Sequence, residues 1–290
     1  MMTTAASEAE PVATDDLATL GRWIGRTESA TCHLAAATVA ALAATLDRDP
    51  DDWCRGSLPP GAHWLFLNPV RRAGELGRDG HPARGGFLPP VAAERRMWAG
   101  GRLRWHGAIP LDALAERRST IADVQVKQGK TGRLVFVAVD HAWTVDGRVA
   151  IEERHNIVYR QGGRPGAPTP APAACDAQAR WRPDPVMLFR YSALTFNGHR
   201  IHYDHPYATA VEGYPGLVVH GPLVATWLMD LARGAAPDRP LADFTYRGLT
   251  PAICGRDLET CLARRADGRA DLWTRDADGQ RTMSAEVGWA

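Results

Sequence analysis

GPLVATWLMDLARG, residues 221–234, decides how the rest of the chain is read. Pro222 stands where the first turn of a helix tolerates a missing N–H, and Gly234 stands where a helix ends. Between them Leu223, Val224, Trp227, Leu228 and Leu231 recur at helical spacing, and polar side chains are almost absent. A helix apolar nearly all round has to be wrapped by other structure, most economically by a curved antiparallel sheet. The strands for such a sheet follow at DFTYRGLT (243–250), RDLETCLARR (256–265), ADLWTRD (270–276) and RTMSAEVGW (281–289).

Upstream, the same order of elements is found once more. Leu17 to Ile24 opens the fold, and SATCHLAAATVAALAATL (29–46) reads as an Ala-rich helix capped by Ser29 or Thr31. A Pro/Gly-rich stretch runs from Leu58 to Pro90. PPVAAERRMWAGG (89–101) then reads as a helix, with Pro90 in its first turn and Gly100 and Gly101 at its end. Strand-like runs come next: GRLRWHGAI (101–109), RSTIADVQVKQ (118–128), GRLVFVAVDHAWTV (132–145) and RVAIEERHNIVYR (148–160), with turn signals at Gly129–Gly132 and Asp146-Gly147. QGGRPGAPTPAPAACDAQAR (161–180) has no hydrophobic periodicity and reads as a linker that joins neither sheet. The expectation is an α+β chain of two similar units, 1–160 and 181–290, each a helix followed by an antiparallel meander.

The balance of 34 Lys+Arg against 33 Asp+Glu leaves a net charge of +1, which disfavours a dedicated nucleic-acid or anionic-membrane binder. Hydrophobic residues at 45% and charged residues at 23% are those of an ordinary globular protein. No apolar run is long enough for a membrane span, and MMTTAASEAEPVATDD lacks the basic start and apolar core of a signal peptide, so a cytoplasmic location is expected. Cys32, Cys54, Cys175, Cys254 and Cys261 are odd in number and form no CxxC pair, which argues against a disulfide framework or a thiolate zinc site. Gly-x-Ser-x-Gly, GxGxxG and HExxH are all absent, removing serine-hydrolase, nicotinamide and zinc-protease readings.

YSALTFNGHRIHYD (191–204) followed by YPGLVVHGPL (214–223) resembles the hydratase motif and central-helix entrance of MaoC-like hot-dog hydratases. The likeness is strongest to the branch of type 2 hydroxyacyl-thioester dehydratases and mesaconyl-C4-CoA (3-methylfumaryl-CoA) hydratases. PPGAHWLF (59–66), LGRDGHP (76–82) and PPVAAERRMWAGG (89–101) resemble that branch's N-terminal region. The resemblance implies a double hot dog, two antiparallel sheets each wrapped round a central helix, with one site per chain lined by both halves. It also implies a hydro-lyase that adds water to an α,β-unsaturated acyl-CoA, mesaconyl-C4-CoA to citramalyl-CoA in the best case. A broader (3R)-hydroxyacyl-thioester dehydratase or an itaconyl-CoA-type hydratase is the alternative. A hot-dog thioesterase and a noncatalytic acyl-CoA-binding protein are further ones. No cofactor beyond the coenzyme A of the substrate and no metal are expected, and a homodimer is an open possibility.

Hydration of such a thioester needs a water activated for attack on Cβ, a proton delivered to Cα and a donor for the enolate oxygen. His202 matches the motif histidine, and imidazole titrates near neutral pH, which suits a general acid/base. The motif's usual aspartate, five residues earlier, is Asn197 here; its amide orients a water or simply shapes the turn beside Gly198. His202 should lie near the start of the helix at Pro222, where the resemblance assigns the Gly221 N–H to the thioester oxygen. His199, Arg200, His220, Arg247 and Arg96 are candidate substrate-binding residues, the arginines for coenzyme A phosphates or an acyl carboxylate. Arg95 and Arg96 are placed on a helix. Asp204 before His205-Pro206 reads as a helix cap rather than a second base. His199, His202 and His205, spaced by three, do not close a metal ligand set. Lys127 and Lys130 lie near a glycine turn with no phosphate-loop pattern around them.

Overall fold

The first half of the chain forms α1 (Leu17–Leu20), β1 (Thr27–His33), α2 (Ala36–Thr45), α3 (Pro50–Cys54), β2 (Arg95–Trp105), β3 (Leu114–Gly129), β4 (Gly132–Val145) and β5 (Arg148–Arg160). The second half forms β6 (Ala177–Trp181), α4 (Pro185–Leu194), α5 (Gly221–Ala235), β7 (Leu241–Gly248), β8 (Leu258–Arg264), β9 (Ala270–Asp276) and β10 (Arg281–Trp289). These come from a computed structural model that describes residues 17–93, 95–129, 132–162 and 167–290. The ten strands make one antiparallel sheet, in the order β1-β3-β4-β5-β2-β7-β10-β9-β8-β6. Each half contributes five strands in the same relative order, and the halves join edge to edge where β2 pairs with β7. This is the double hot dog that the repeated order implied.

In the second half the sheet curls round α5, which packs on β6, β7, β8, β9 and β10. Leu223, Val224, Trp227, Leu228 and Met229 on this helix are buried, and Trp227 stacks on Trp181 of β6 with ring centroids 4.7 Å apart. The helix is enclosed because its apolar surface runs nearly all round it. In the first half, α2 buries Val39, Leu42 and Ala43 against α3, α4 and a 3₁₀ turn at Ala62–Leu65. Among the described residues, the segment between α3 and β2 holds only 3₁₀ turns and loops. The inner face of β2 to β5 is consequently free to line a cavity of about 1350 Å³ shared with the second half.

Three local expectations are corrected. Ser29 and Thr31 are not caps: they lie in β1, whose residues pair with β3. α2 starts at Ala36, where the Asp112 carboxylate, 76 residues away in sequence, accepts the Ala36 N–H at 2.8 Å. Residues 95–101 are not helical. Arg95 and Arg96 begin β2, and Gly100 and Gly101 let this strand run between β5 and β7. A Cβ on Gly101 would fall on the Arg154 carbonyl and the Tyr246 ring, and one on Gly100 would meet the Tyr246 carbonyl at 2.5 Å. The stretch 161–180 does not stay clear of the sheet, because Ala177 to Arg180 pair with β8 and Pro170 bridges Gln280.

The later meander strands were readable. β4, β5, β9 and β10 occupy the ranges expected of them, and Asp146 and Gly147 both take positive φ in the two-residue turn between β4 and β5. Lys130 and part of the glycine turn lie outside the described residues. Lys127 lies on β3 with its ammonium over the Phe136 ring. Among the described residues, no helix is long and apolar enough to cross a membrane.

Candidate active site

The second half's loop between α4 and α5 brings the motif residues to the start of α5. Asp184 caps α4 through the Met187 N–H, and the helix stops at Thr195. Asn197 then folds the chain into an Asx turn, its Oδ1 accepting from the His199 N–H at 2.9 Å. A 3₁₀ turn over Arg200–His202 delivers His202, which is buried, into the cavity. Its Nδ1 lies 2.7 Å from the Val218 carbonyl. A carbonyl only accepts, so Nδ1 carries the hydrogen and, in the neutral ring, Nε2 carries a lone pair. Burial pushes His202 down to about 4, with the Val218 hydrogen bond opposing, so the ring is neutral at pH 7.

The His202 ring stacks on His220 with centroids 3.7 Å apart and an 18° tilt. His220 is the residue before Gly221, so His202 stands beside the N-terminal end of α5, as expected. His220 itself is held by Ser192 Oγ at 2.8 Å from Nε2, and burial lowers its pKa strongly. It braces His202 from behind while lining the cavity. Gly221 lines the same cavity and is covered by Trp98: a Cβ there would sit 2.9 Å from the indole. Gly221 is the first residue of a 15-residue helix, so its N–H has no acceptor within that helix and, among the described residues, stands unpaired at the positive end.

The first half contributes a second wall. The loop at 77–82 is bonded to the motif loop by the Arg200 N–H, which donates to the Asp79 carbonyl at 2.9 Å. Gly80, with φ +85°, lies so close to Gly198 that a Cβ would be 1.9 Å from the Gly198 oxygen. On this loop Asp79 Oδ2 sits 2.9 Å from His81 Nδ1, and the His81 ring packs on His199 at 4.0 Å. His199 in turn meets His202 edge-on at 5.2 Å. Burial lowers His81, and it drives His199 down to about 2. Asp79 is held well below the usual carboxylate range: burial opposes this, but hydrogen bonds and charge from His81 outweigh it. Asp79, His81 and His199 place one ligand atom each within 4.8 Å of one another, the only such group of three among the described residues.

Deeper in the cavity Glu153 is fully buried. Its Oε1 accepts from Trp64 Nε1 at 2.6 Å and His155 Nε2 at 2.5 Å, and His63 approaches Oε2 at 3.3 Å. Trp98 bridges this cluster to the start of α5, touching His155 and Tyr246 as well as Gly221. Neither Asp79 nor Glu153 was picked out by sequence reasoning. Asp79 and His81 lie inside the quoted LGRDGHP segment, whereas nothing local marks Glu153.

The remaining candidates divide. Arg96 lines the cavity, its charge acting on His81, His199 and Tyr159, and no carboxylate among the described residues pairs with it. Arg95 pairs with Glu212 at 3.1 Å. Arg200 points elsewhere: it pairs with Asp204 at 2.7 Å and lies over the Tyr207 ring. Arg247 is exposed on β7 and does not line the cavity. Asp204 accepts from the Tyr207 N–H at the head of a π turn, Tyr207–Val211, a capping contact. His205 is exposed, outside the cavity.

The cavity of this double hot dog brings together a neutral imidazole and the N–H at a helix N-terminus, groups that can serve acid/base and oxyanion chemistry. The chain belongs to the hydroxyacyl-thioester dehydratase type 2 family, whose model matches residues 61–254, and is a carbon–oxygen lyase. Over 275 residues it is 45% identical to the mesaconyl-C(4)-CoA hydratase of Chloroflexus aurantiacus, covering 91% of this chain and 96% of that one. In structure it resembles a MaoC-like dehydratase from Phytophthora capsici, with TM-score 0.68, 10% identity and 95% and 98% of the two chains covered. A Mycobacterium tuberculosis protein described as having a double hotdog fold matches with TM-score 0.55 and 15% identity, covering 92% and 96%.

Proposed function

We propose that this enzyme reversibly hydrates an α,β-unsaturated acyl-CoA, with mesaconyl-C4-CoA, giving citramalyl-CoA, as the preferred substrate. The observation that carries the reading is the bare Nε2 of a neutral, buried His202 beside the start of α5. In this mechanism the lone pair of His202 accepts a hydrogen bond from the water that attacks Cβ, aligning and activating it. The thioester oxygen, as it takes on enolate charge, is received by the Gly221 N–H, where a fixed donor and the helix dipole act together. Asn197 has committed its carbonyl to the His199 N–H, so its NH₂ is the group it offers the water. Coenzyme A enters as part of the substrate.

The choice of a dicarboxylate is supported by the 45% identical relative and by Arg96, a cation facing the cavity with no carboxylate partner among the described residues. A broader (3R)-hydroxyacyl-thioester dehydratase draws support from the aromatic lining at Trp98, Trp143 and Tyr159. A panel of enoyl-CoA thioesters assayed by loss of ultraviolet absorbance separates the two. Preferential hydration of mesaconyl-C4-CoA, lost on Arg96→Gln, supports the dicarboxylate. Faster turnover of long, uncharged enoyl chains rejects it, and no hydration of any member rejects the hydratase reading.

A further inference from the structure

Addition of water across the double bond releases one proton from the water and requires one at Cα. A group that ferries it becomes positively charged in between. At His202 that charge would sit in a buried ring backed by a backbone carbonyl and stacked on another imidazole. The carboxylate that position 197 lacks is nevertheless present in the site, supplied by the other half of the molecule. Asp79 holds His81 twice, Oδ2 against the ring Nδ1 at 2.9 Å and Oδ1 against the backbone N–H at 3.0 Å. With Nδ1–H on a carboxylate, the neutral ring keeps its lone pair on Nε2, which has no protein partner among the described residues and belongs to a residue lining the cavity.

We propose that the Asp79–His81 pair of the N-terminal half is the proton-transferring group of the site, acting beside the water-aligning His202, and that His81 carries the transferred proton. This rests on the hydratase reading above and deepens it. The water lies between two imidazole lone pairs, one O–H directed at His202 and the other at His81. As its oxygen bonds to Cβ, the π pair moves through Cα onto the thioester oxygen, the O–H facing His81 breaks, and the proton goes to His81 Nε2. The second hydrogen stays on oxygen as the product hydroxyl. The enolate then collapses, Cα takes the proton from His81, and His81 is neutral again. Asp79 stabilises the transient imidazolium, as a buried carboxylate does for the base of a hydrolytic triad. A divalent ion on Asp79, His81 and His199 would require Asp79 and His81 to give up their mutual hydrogen bond.

The pair is held in place by the other half, through Arg200, and by its own loop, through Gly77. The Arg200 N–H donates to the Asp79 carbonyl, and the Gly77 N–H donates to the His81 carbonyl at 2.7 Å. Around His81 the titratable and charged groups are Asp79, His199, His202, Arg84 and Arg96. Only Asp79 among them favours the charged ring.

The test uses the full-length enzyme with its best substrate from the enoyl-CoA panel. Asp79→Asn keeps the size of the side chain and removes its charge, and His81→Gln removes the ring. Loss of either should lower kcat by about 10²-fold or more with little change in KM. Removing the Asp79 charge makes the His81 imidazolium harder to form. The acid limb of the pH profile, where activity rises as His81 loses its proton, should therefore move to lower pH in Asp79→Asn. Far-ultraviolet circular dichroism checks that both variants fold, and either folded variant alone decides the matter. Wild-type kcat in a folded variant, an unmoved acid limb in Asp79→Asn, or loss of wild-type activity on chelation with recovery on added zinc overturns the proposal. A wild-type enzyme that hydrates no thioester defeats the hydratase reading instead, a different outcome.

Discussion

Gly80→Ala tests whether the site depends on the seam between the two halves. A methyl at Gly80 would lie 1.9 Å from the Gly198 oxygen, where real contacts do not fall below 3.0 Å, so the loops have to part by about 1 Å. That movement stretches the Arg200 N–H to Asp79 bond from 2.9 Å beyond hydrogen-bonding range. Three costs combine: about 1–2 kcal/mol for a non-glycine at φ +85°, about 1–3 for the overlap and about 0.5–1.5 for the lost bond. The expected loss is about 3–5 kcal/mol, or a fall in Tm of roughly 10 °C in a chain of this size. Gly213→Ala is the control, because φ there is +73° and nothing lies within 4 Å of the added methyl. It should cost only about 1–2 kcal/mol. Calorimetry and urea titration of both variants give the comparison, and hydratase rates give the functional half. Equal stability losses in the two variants, or undiminished activity in Gly80→Ala, would refute the idea that Gly80 and Gly198 seat one half's loop on the other's.

Gly221→Ala drives a methyl to 2.9 Å from the Trp98 ring and shifts the N–H at the head of α5; kcat should fall by about 10²-fold with a stability loss of about 1–3 kcal/mol, measured by kinetics and calorimetry. Asn197→Asp should alter the pH–rate profile by adding an ionisable neighbour to the histidines, and Asn197→Ala should cost less than loss of His202; unchanged profiles in both variants would reduce Asn197 to a turn former. Stability should fall as pH drops. His202 titrates near its usual value of about 6.5 when unfolded and at about 4 when folded, so its neutral form is favoured in the fold. Its contribution is complete above pH ~6.5 and is lost as pH falls towards 4, in the same direction as His81, His199 and His220. Urea midpoints at pH 7 and pH 5 measure this.

What the sequence made legible was whatever it encodes locally. The apolar circumference of α5, bounded by Pro222 and Gly234, announced a wrapped helix, and the alternation in 132–145 and 148–160 announced strands at their true limits. RRMWAGG (95–101) was misread because its first residues favour helix in isolation, whereas pairing of β2 with both β5 and β7 decides its conformation; Glu94, within the helix expected there, lies outside the described residues. Gly100 and Gly101 are required there by close backbone approach rather than as a helix end. The cap of α2 escaped notice because Asp112 arrives from a distant loop. In the site, His202, His220 and Gly221 lie in one short stretch and were found together. Asp79 lies in the LGRDGHP segment, but its place beside the motif loop depends on how the halves meet, and Glu153, gathered with Trp64, His63 and His155 of its own half, has no local pattern to mark it. Arg200 and Arg247 carried the right charge, but one is engaged by Asp204 and the other faces away from the cavity.

The central claim is that His202 activates water for addition to an enoyl thioester, and its most direct measurement is the hydration rate of mesaconyl-C4-CoA by wild-type enzyme and by His202→Gln. The account predicts loss of the unsaturated thioester's ultraviolet absorbance with formation of citramalyl-CoA by the wild type. It also predicts a fall in kcat of about 10²- to 10⁴-fold in a folded His202→Gln variant. A folded His202→Gln enzyme that hydrates at the wild-type rate would contradict it.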